Sequence, residues 1–146
     1  MKTMFLTMLA VAFALGGCSQ NLTATHLPSL VQNALQVKFP NAQNLEWEKE
    51  GSLYEAEFTL AQVEHTALVN AAGQVVSHKQ DIASADLPEV ITLALKRDFQ
   101  AFLIDDVEKV EKDGQVLYQV ELENHNEDLK KVFTANGTLS TATFWD

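Results

Sequence analysis

Leu27-Pro28-Ser29-Leu30-Val31-Gln32-Asn33-Ala34-Leu35-Gln36-Val37-Lys38-Phe39 and Leu87-Pro88-Glu89-Val90-Ile91-Thr92-Leu93-Ala94-Leu95-Lys96-Arg97-Asp98-Phe99 are one stretch set down twice, sixty residues apart. Further on, Tyr54-Glu55-Ala56-Glu57-Phe58 and Ala72-Gly73 return as Tyr118-Gln119-Val120-Glu121-Leu122 and Asn136-Gly137, now at a spacing of sixty-four. The change from sixty to sixty-four places a four-residue insertion between the helix and the central strands of the second copy. An internal duplication has to be read before any single element, because it decides which segments share a core.

In the first copy Leu30, Val31, Ala34, Leu35 and Phe39 recur at three-and-four spacing, the pattern of an amphipathic helix. Pro28 suits the first turn, where no intrahelical donor is lost, and Pro40 disfavours helical geometry at Phe39. In the second copy Asp86 can cap the helix with Glu89 reaching back. No proline follows Phe99, so this helix is expected to run on to Ala101 or Phe102 and absorb the insertion.

Four strand-like stretches follow each helix. Tyr54, Ala56, Phe58 and Leu60 alternate with Glu55, Glu57 and Thr59, the period of a sheet with one buried face, and Leu45 and Trp47 alternate with Glu46 and Glu48. Gly51-Ser52 and Asn70-Ala71-Ala72-Gly73 suit hairpin turns. The second copy repeats the plan through Val107 to Glu111, Tyr118 to Leu122, Lys130 to Thr134 and Thr138 to Trp145. One helix on four strands buries too little to stand alone. The expected class is therefore α+β: two tandem helix-plus-four-strand repeats, 27–81 and 87–146, forming one antiparallel sheet with both helices on one face.

The chain has 146 residues, enough for one core rather than two. Asp and Glu number 20 against 10 Lys and Arg, a balance that argues against nucleic acid, whose phosphates are bound through cations. At the start, Lys2, an apolar run from Met4 to Leu15 and Gly16-Gly17 have the tripartite layout of a secretory signal. Leu15-Gly16-Gly17-Cys18 resembles the lipobox of bacterial lipoproteins, and Cys18 is the one cysteine of the chain. That resemblance implies a signal peptide over 1–17, acylation of Cys18 and attachment to a membrane. Ser19, where family members retained at the inner membrane carry aspartate, implies the outer membrane, facing the periplasm. Residues 18–26 read as the acylated cysteine and a polar tether.

The order Leu-Pro, Val or Ile, Ala-Leu and Phe, then Tyr-x-x-Glu and a hairpin closing in Ala-Gly or Asn-Gly, resembles the PepSY-like family, also called beta-lactamase-inhibitor-like. The resemblance spans Leu27 to Trp145. It implies an exported bacterial protein of helix-plus-four-strand repeats whose namesake binds an enzyme on the open face of its sheet. The namesake's disulfides are absent, and no inhibitory residue can be carried over.

Catalysis has no candidate residues. No serine sits in a Gly-x-Ser-x-Gly elbow, no glycine loop would cradle phosphate, and no cofactor is implied. His65 and His78 flank one hairpin and with Glu64 could approach a single ion; Glu123-Asn124-His125-Asn126-Glu127-Asp128 offers oxygen ligands but lacks the turn glycine of a calcium loop. Metal or small-ligand binding is accordingly the alternative reading. The leading one is an unidentified envelope protein or peptide, basic in character. Glu46, Glu48, Glu55, Glu57, Glu121 and Glu123 are expected to gather on the uncovered face and attract such a partner. Phe144 and Trp145 would anchor it. For the anchor, Cys18→Ala is expected to abolish incorporation of labelled palmitate and to leave an unprocessed precursor on denaturing gels.

Overall fold

Pro28 and Pro88 occupy the N-cap positions of two ten-residue helices, α1 (Ser29–Lys38) and α2 (Glu89–Asp98), and neither cap carries a side-chain hydrogen bond. The structure is a computed structural model that describes residues 20–22 and 26–146. Asp86 lies in a 3-10 turn, Ser84–Asp86, two residues too early to cap α2. The two helices end alike: Phe39 and Phe99 donate their backbone N–H to Leu35 and Leu95 at 2.7 and 2.9 Å. The second helix therefore does not run on to Ala101 or Phe102. Phe99 turns to φ −130° and packs into the core, which stops the helix with or without a following proline.

Eight strands form one antiparallel meander in chain order: β1 (Gln20–Asn21), β2 (Gln43–Glu50), β3 (Leu53–Leu60), β4 (Val63–Asn70), β5 (Val75–Asp81), β6 (Leu103–Lys112), β7 (Gln115–Glu123) and β8 (Asp128–Thr134). The class is α+β. The four inserted residues lie in the β6–β7 hairpin. Trp47 faces Ala56 three pairs from its turn, whereas Val107 faces Val120 with Glu111–Val116 and Lys112–Gln115 added beyond the matching pairs. These added residues of β6 also pair with His78 and Ser77 of β5, so the extension widens the seam between the two halves.

Register settles which side each residue takes, since alternate strand residues point to opposite faces. Trp47, Ala56, Ala67, His78 and Glu111 form one row across β2 to β6, and Val107 shares the parity of Glu111. Trp47, Ala56 and Ala67 pack with Leu27, Val31, Leu35 and Phe39 around α1; Val107, Val120, Leu122 and Phe133 pack with Leu87, Ile91 and Leu95 around α2. Both helices thus cover the same face. The apolar residues make two clusters on this face where composition suggested one core, because each helix reaches only the strands beneath it. Leu30, read as a core position, is 57 % exposed.

The last expected strand is missing. Leu139 makes an isolated bridge to Phe133 and Ser140 N–H bonds Val132 O at 2.8 Å, after which the chain leaves the edge of β8. Its two aromatic residues reach apolar partners on the open face, Val110, Leu117 and Val132, which continued edge pairing would leave in water. At the other edge Gln20 and Asn21, within the segment read as tether, pair with Lys49 and Glu48. Cys18 and the leader lie outside the described residues.

Each half tucks a hairpin turn under the first turn of its helix. A Cβ on Gly73 (φ +77°) would stand 2.8 Å from Leu30 O, and one on Gly137 (φ +86°) 2.9 Å from Val90 O. Gly51 has a similar φ of +58° but open space around it. Gly51→Ala should therefore cost about 1–2 kcal/mol, the strain of left-handed backbone alone. Gly73→Ala should cost measurably more in urea unfolding, because a backbone carbonyl must also move.

Candidate functional site

On the face opposite the helices, Glu46 stands directly across from Glu57, and Glu48 from Glu55. Like charges placed directly opposite destabilise a sheet by a few tenths of a kcal/mol to about 1. None of the four carboxylates is in an ion pair among the described residues. Burial raises the Glu55 pKa, and Glu50 and Glu57 raise it further against the opposing pull of Trp145 and Lys79. Glu121 and Glu123 share the parity of this face but lie on β7, in the other half. Glu121 is paired with Lys130 at 3.4 Å, and Glu123 sits opposite Asp128 at the end of the strand. The six glutamates therefore do not form one field, because three strands separate β2–β3 from β7.

The acidic half is deeper than alternation on β2 and β3 indicates. An open recess of about 500 Å³ lies between Glu46 and Glu57 on one side and Glu64, Asp81 and Glu108 on the other, with Lys79 in its lining. Asp81, Asp106 and Glu108 bring carboxylate oxygens within 4.8 Å of one another. Burial raises the Asp81 pKa, and Asp106, Glu108 and Glu64 add to the rise. Lys79 is already engaged by Glu108 at 3.0 Å. The parity of Glu64 is legible in sequence. The approach of Asp106 is not, since it follows a bulge between Ile104 and Asp106.

Phe144 and Trp145 are not free anchors. They fold back over the second half of the open face, half-buried, against Val110, Leu117 and Val132. Trp145 N–H donates to Gln119 Oε1 at 2.7 Å, while Gln119 Nε2 and Lys79 Nζ donate to Trp145 O at 2.9 and 3.1 Å. The Lys130 ammonium stands 4.9 Å from the Phe144 ring centre and is paired with Asp146. The indole Nε1 of Trp145 is buried without an acceptor at bonding geometry. The Glu55 carboxylate is the group that the indole approaches, and its pull lowers the Glu55 pKa against the effect of burial.

A sequence model of the family described as "Putative beta-lactamase-inhibitor-like, PepSY-like" matches residues 18–72 and again residues 70–141. The chain belongs to the PepSY-like family. Among solved structures, this PepSY-like chain is similar to a BLIP-like protein from Bacteroides fragilis at 21% identity and a TM-score of 0.69, covering 82% of this chain and 92% of that one. A DUF2874 family protein from Bacteroides uniformis gives 22% identity and a TM-score of 0.72, with 77% and 85% covered. A protein from Bacteroides eggerthii described as "putative periplasmic" gives 19% and 0.73, with 78% and 86% covered. No curated protein matches.

The histidines of this PepSY-like protein lie on the other, helix-covered face. His65 and His78 are diagonal neighbours, since His65 pairs with Gln80 and His78 with Ala67. Their rings stack, and His65 Nδ1 and His78 Nε2 share a hydrogen bond of 2.9 Å. Phe58 stacks on His65, and Phe39 lies 4.8 Å from His78. Glu64, neighbouring His65 on the same strand, points to the opposite face, so the expected three-ligand set is not brought together. In the Glu123–Asp128 turn, Asn124 Oδ1 accepts the N–H groups of Asn126 and Glu127 at 2.8 and 3.0 Å, which turns that oxygen inward to cap the loop.

Burial lowers the pKa of both imidazoles, and His65 helps to bring His78 down to about 4 while Glu111 opposes and Lys38 and Lys109 assist. The folded state therefore binds fewer protons than the unfolded chain. The stability contributed by neutral His78 is complete above pH 6.5 and is lost as pH falls from there to about 4. At about 1.4 kcal/mol per pH unit, that loss is roughly 3 kcal/mol. Glu55 and Asp81, whose folded pKa values are raised, contribute in the opposite sense: their stability is lost as pH rises through the carboxylate range. The clean readout is thus the difference between wild type and His78→Leu. Urea unfolding at pH 7 and pH 4 should show the wild type losing roughly 3 kcal/mol more than the variant.

Proposed function

We infer that this chain is a non-catalytic envelope lipoprotein, held at the outer membrane through acylated Cys18 and facing the periplasm, which binds a basic protein or peptide on the acidic half of its open sheet face. The observation that carries this reading is the pair of glutamate couples, Glu46 with Glu57 and Glu48 with Glu55, set directly opposite on the face that the helices leave open, which the C-terminal segment reaches at Glu55 through Trp145. Uncompensated like charges cost the free protein stability, and a cationic partner returns it. The neighbouring recess adds Glu64, Asp81 and Glu108 to the same field.

Family membership and the likeness to the BLIP-like protein of Bacteroides fragilis support an inhibitory action on the partner, and the likeness to the Bacteroides eggerthii protein described as periplasmic supports the periplasmic address. Two further observations support descent from a tandem duplication. The family model matches twice, and the close approach of Gly73 to Leu30 recurs at Gly137 and Val90.

Glu46→Lys/Glu57→Lys replaces one like-charge couple by another, so stability should change little. Recovery of the specific partner in a crosslinking pull-down from envelope extract should fall about tenfold, the equivalent of about 1.4 kcal/mol. An unchanged set of crosslinked proteins would remove this face from the reading.

A further inference from the structure

The C-terminal segment crosses the open face in the manner of a bound peptide. Gln119 is 2 % exposed and presents both ends of its amide to the backbone N–H and C=O of one residue, Trp145. An amide paired in this way recognises extended main chain without regard to the side chain it carries. Gln119 is itself oriented by a 2.7 Å bond to Glu108, the carboxylate that also fixes Lys79 for its bond to Trp145 O. Beneath the rings, Val110, Leu117 and Val132 form an apolar floor. The lengthened β6–β7 hairpin accompanies this floor: Val110 and Leu117 stand where the first half has Glu50 and Leu53, a pair that would offer an aromatic ring a charge. A buried bidentate amide, a fixed cation and an apolar floor together make a built site on a sheet face.

The occupant fits this site imperfectly. Between Ser140, bonded to Val132 O, and Trp145, bonded to Gln119, no hydrogen bond ties the backbone of the segment to the sheet. Among the described residues the indole Nε1 is buried with no acceptor at bonding geometry, Glu55 being the carboxylate it approaches, so a group that completed this bond would sit better. The segment is also covalently linked, so its local concentration at the site is high even though its contacts are few.

We propose that residues 139–146 are the resident ligand of a peptide site over β6 to β8, and that the partner docks by replacing them with an extended segment of its own. This rests on the reading of the open face as a docking surface and names what that surface takes. The incoming segment carries one large aromatic residue whose N–H and C=O pair with Gln119. Basic residues flank it, meeting Glu55, Glu57 and Asp81 beside the site. Displacement makes the tail a competitor, so partner affinity is set by the difference between two similar occupants rather than by the full contact.

The test uses a labelled synthetic peptide copying residues 139–146 and follows its fluorescence anisotropy with the full chain. Saturable binding to Phe144→Ala/Trp145→Ala is expected at least tenfold tighter than to wild type, and it should be lost when Gln119→Ala is added. Absence of binding to a variant that keeps the wild-type circular dichroism, or equal binding to wild type, would overturn the proposal. Hydrogen exchange on the wild type supplies a check independent of variant folding. The Trp145 amide should exchange by local opening, at least 100-fold faster than that of Val120 in β7. Equal rates would mean that the segment opens only with the whole domain, and the proposal would fall. Glu46→Lys/Glu57→Lys leaves Gln119, Lys79 and the floor intact: a peptide that fails to bind while this variant still loses the partner overturns this inference alone, whereas an unchanged set of partners with the peptide still bound overturns the docking face alone.

Discussion

Trp47, Ala56, Ala67 and His78 are neighbours across four strands, and Val107 and Val120 take up the same side beyond the seam. That shared side, held from β2 to β7 despite the bulges at Leu68–Val69 and Ile104–Asp106, puts both helices on one surface of the sheet. A one-sided cover leaves a second surface that must be made compatible with water. In the first half glutamates at Glu46, Glu48, Glu55 and Glu57 do this. In the second half the corresponding surface is partly apolar, and the chain's own end lies over it. The two halves thus solve one problem by different means, and the contrast defines where each kind of contact can form.

The difference begins in a hairpin. Two added pairs in β6 and β7 bring Glu111 and Lys112 alongside β5, so the extension both strengthens the seam and accompanies the apolar floor. The seam matters because each helix binds only its own cluster, leaving the shared ladder between β5 and β6 as the main link. His78 sits on that ladder opposite Glu111, and its ring closes a set of four with His65, Phe39 and Phe58. A neutral imidazole pair therefore joins the first core to the strand that begins the second half's sheet.

Much of this was legible in the residues. Helix positions, strand alternation, the turns closing at Gly73 and Gly137, and the outward set of Glu46, Glu48, Glu55 and Glu57 all follow from local periodicity, which reports on the face a side chain takes. What periodicity does not report is distance along the sheet. It could not show that Glu121 lies far from Glu55, or that a bulge brings Asp106 to Asp81 and Glu108. The insertion was visible as a change of spacing, yet a spacing has no location, and an unbroken helix was as consistent with it as a longer hairpin. Thr138 to Trp145 alternated well enough for a strand. Its departure from β8 depends on Gln119, Lys79 and Val110, which belong to three other strands and acquire meaning only once folded.

Gln20 and Asn21 pair with Lys49 and Glu48, and Leu22 N–H bonds Trp47 O at 2.8 Å. Were the lipid on Cys18, as proposed, the leash between bilayer and sheet would be two residues rather than the whole polar segment, at most about 7 Å of chain. The border of the slab along β2 would then ride close to the lipid headgroups, holding the acidic surface steeply to the bilayer instead of letting it tumble. Proteins able to engage it would approach sideways, along the membrane plane, which favours fellow residents of that surface over molecules diffusing freely through the compartment.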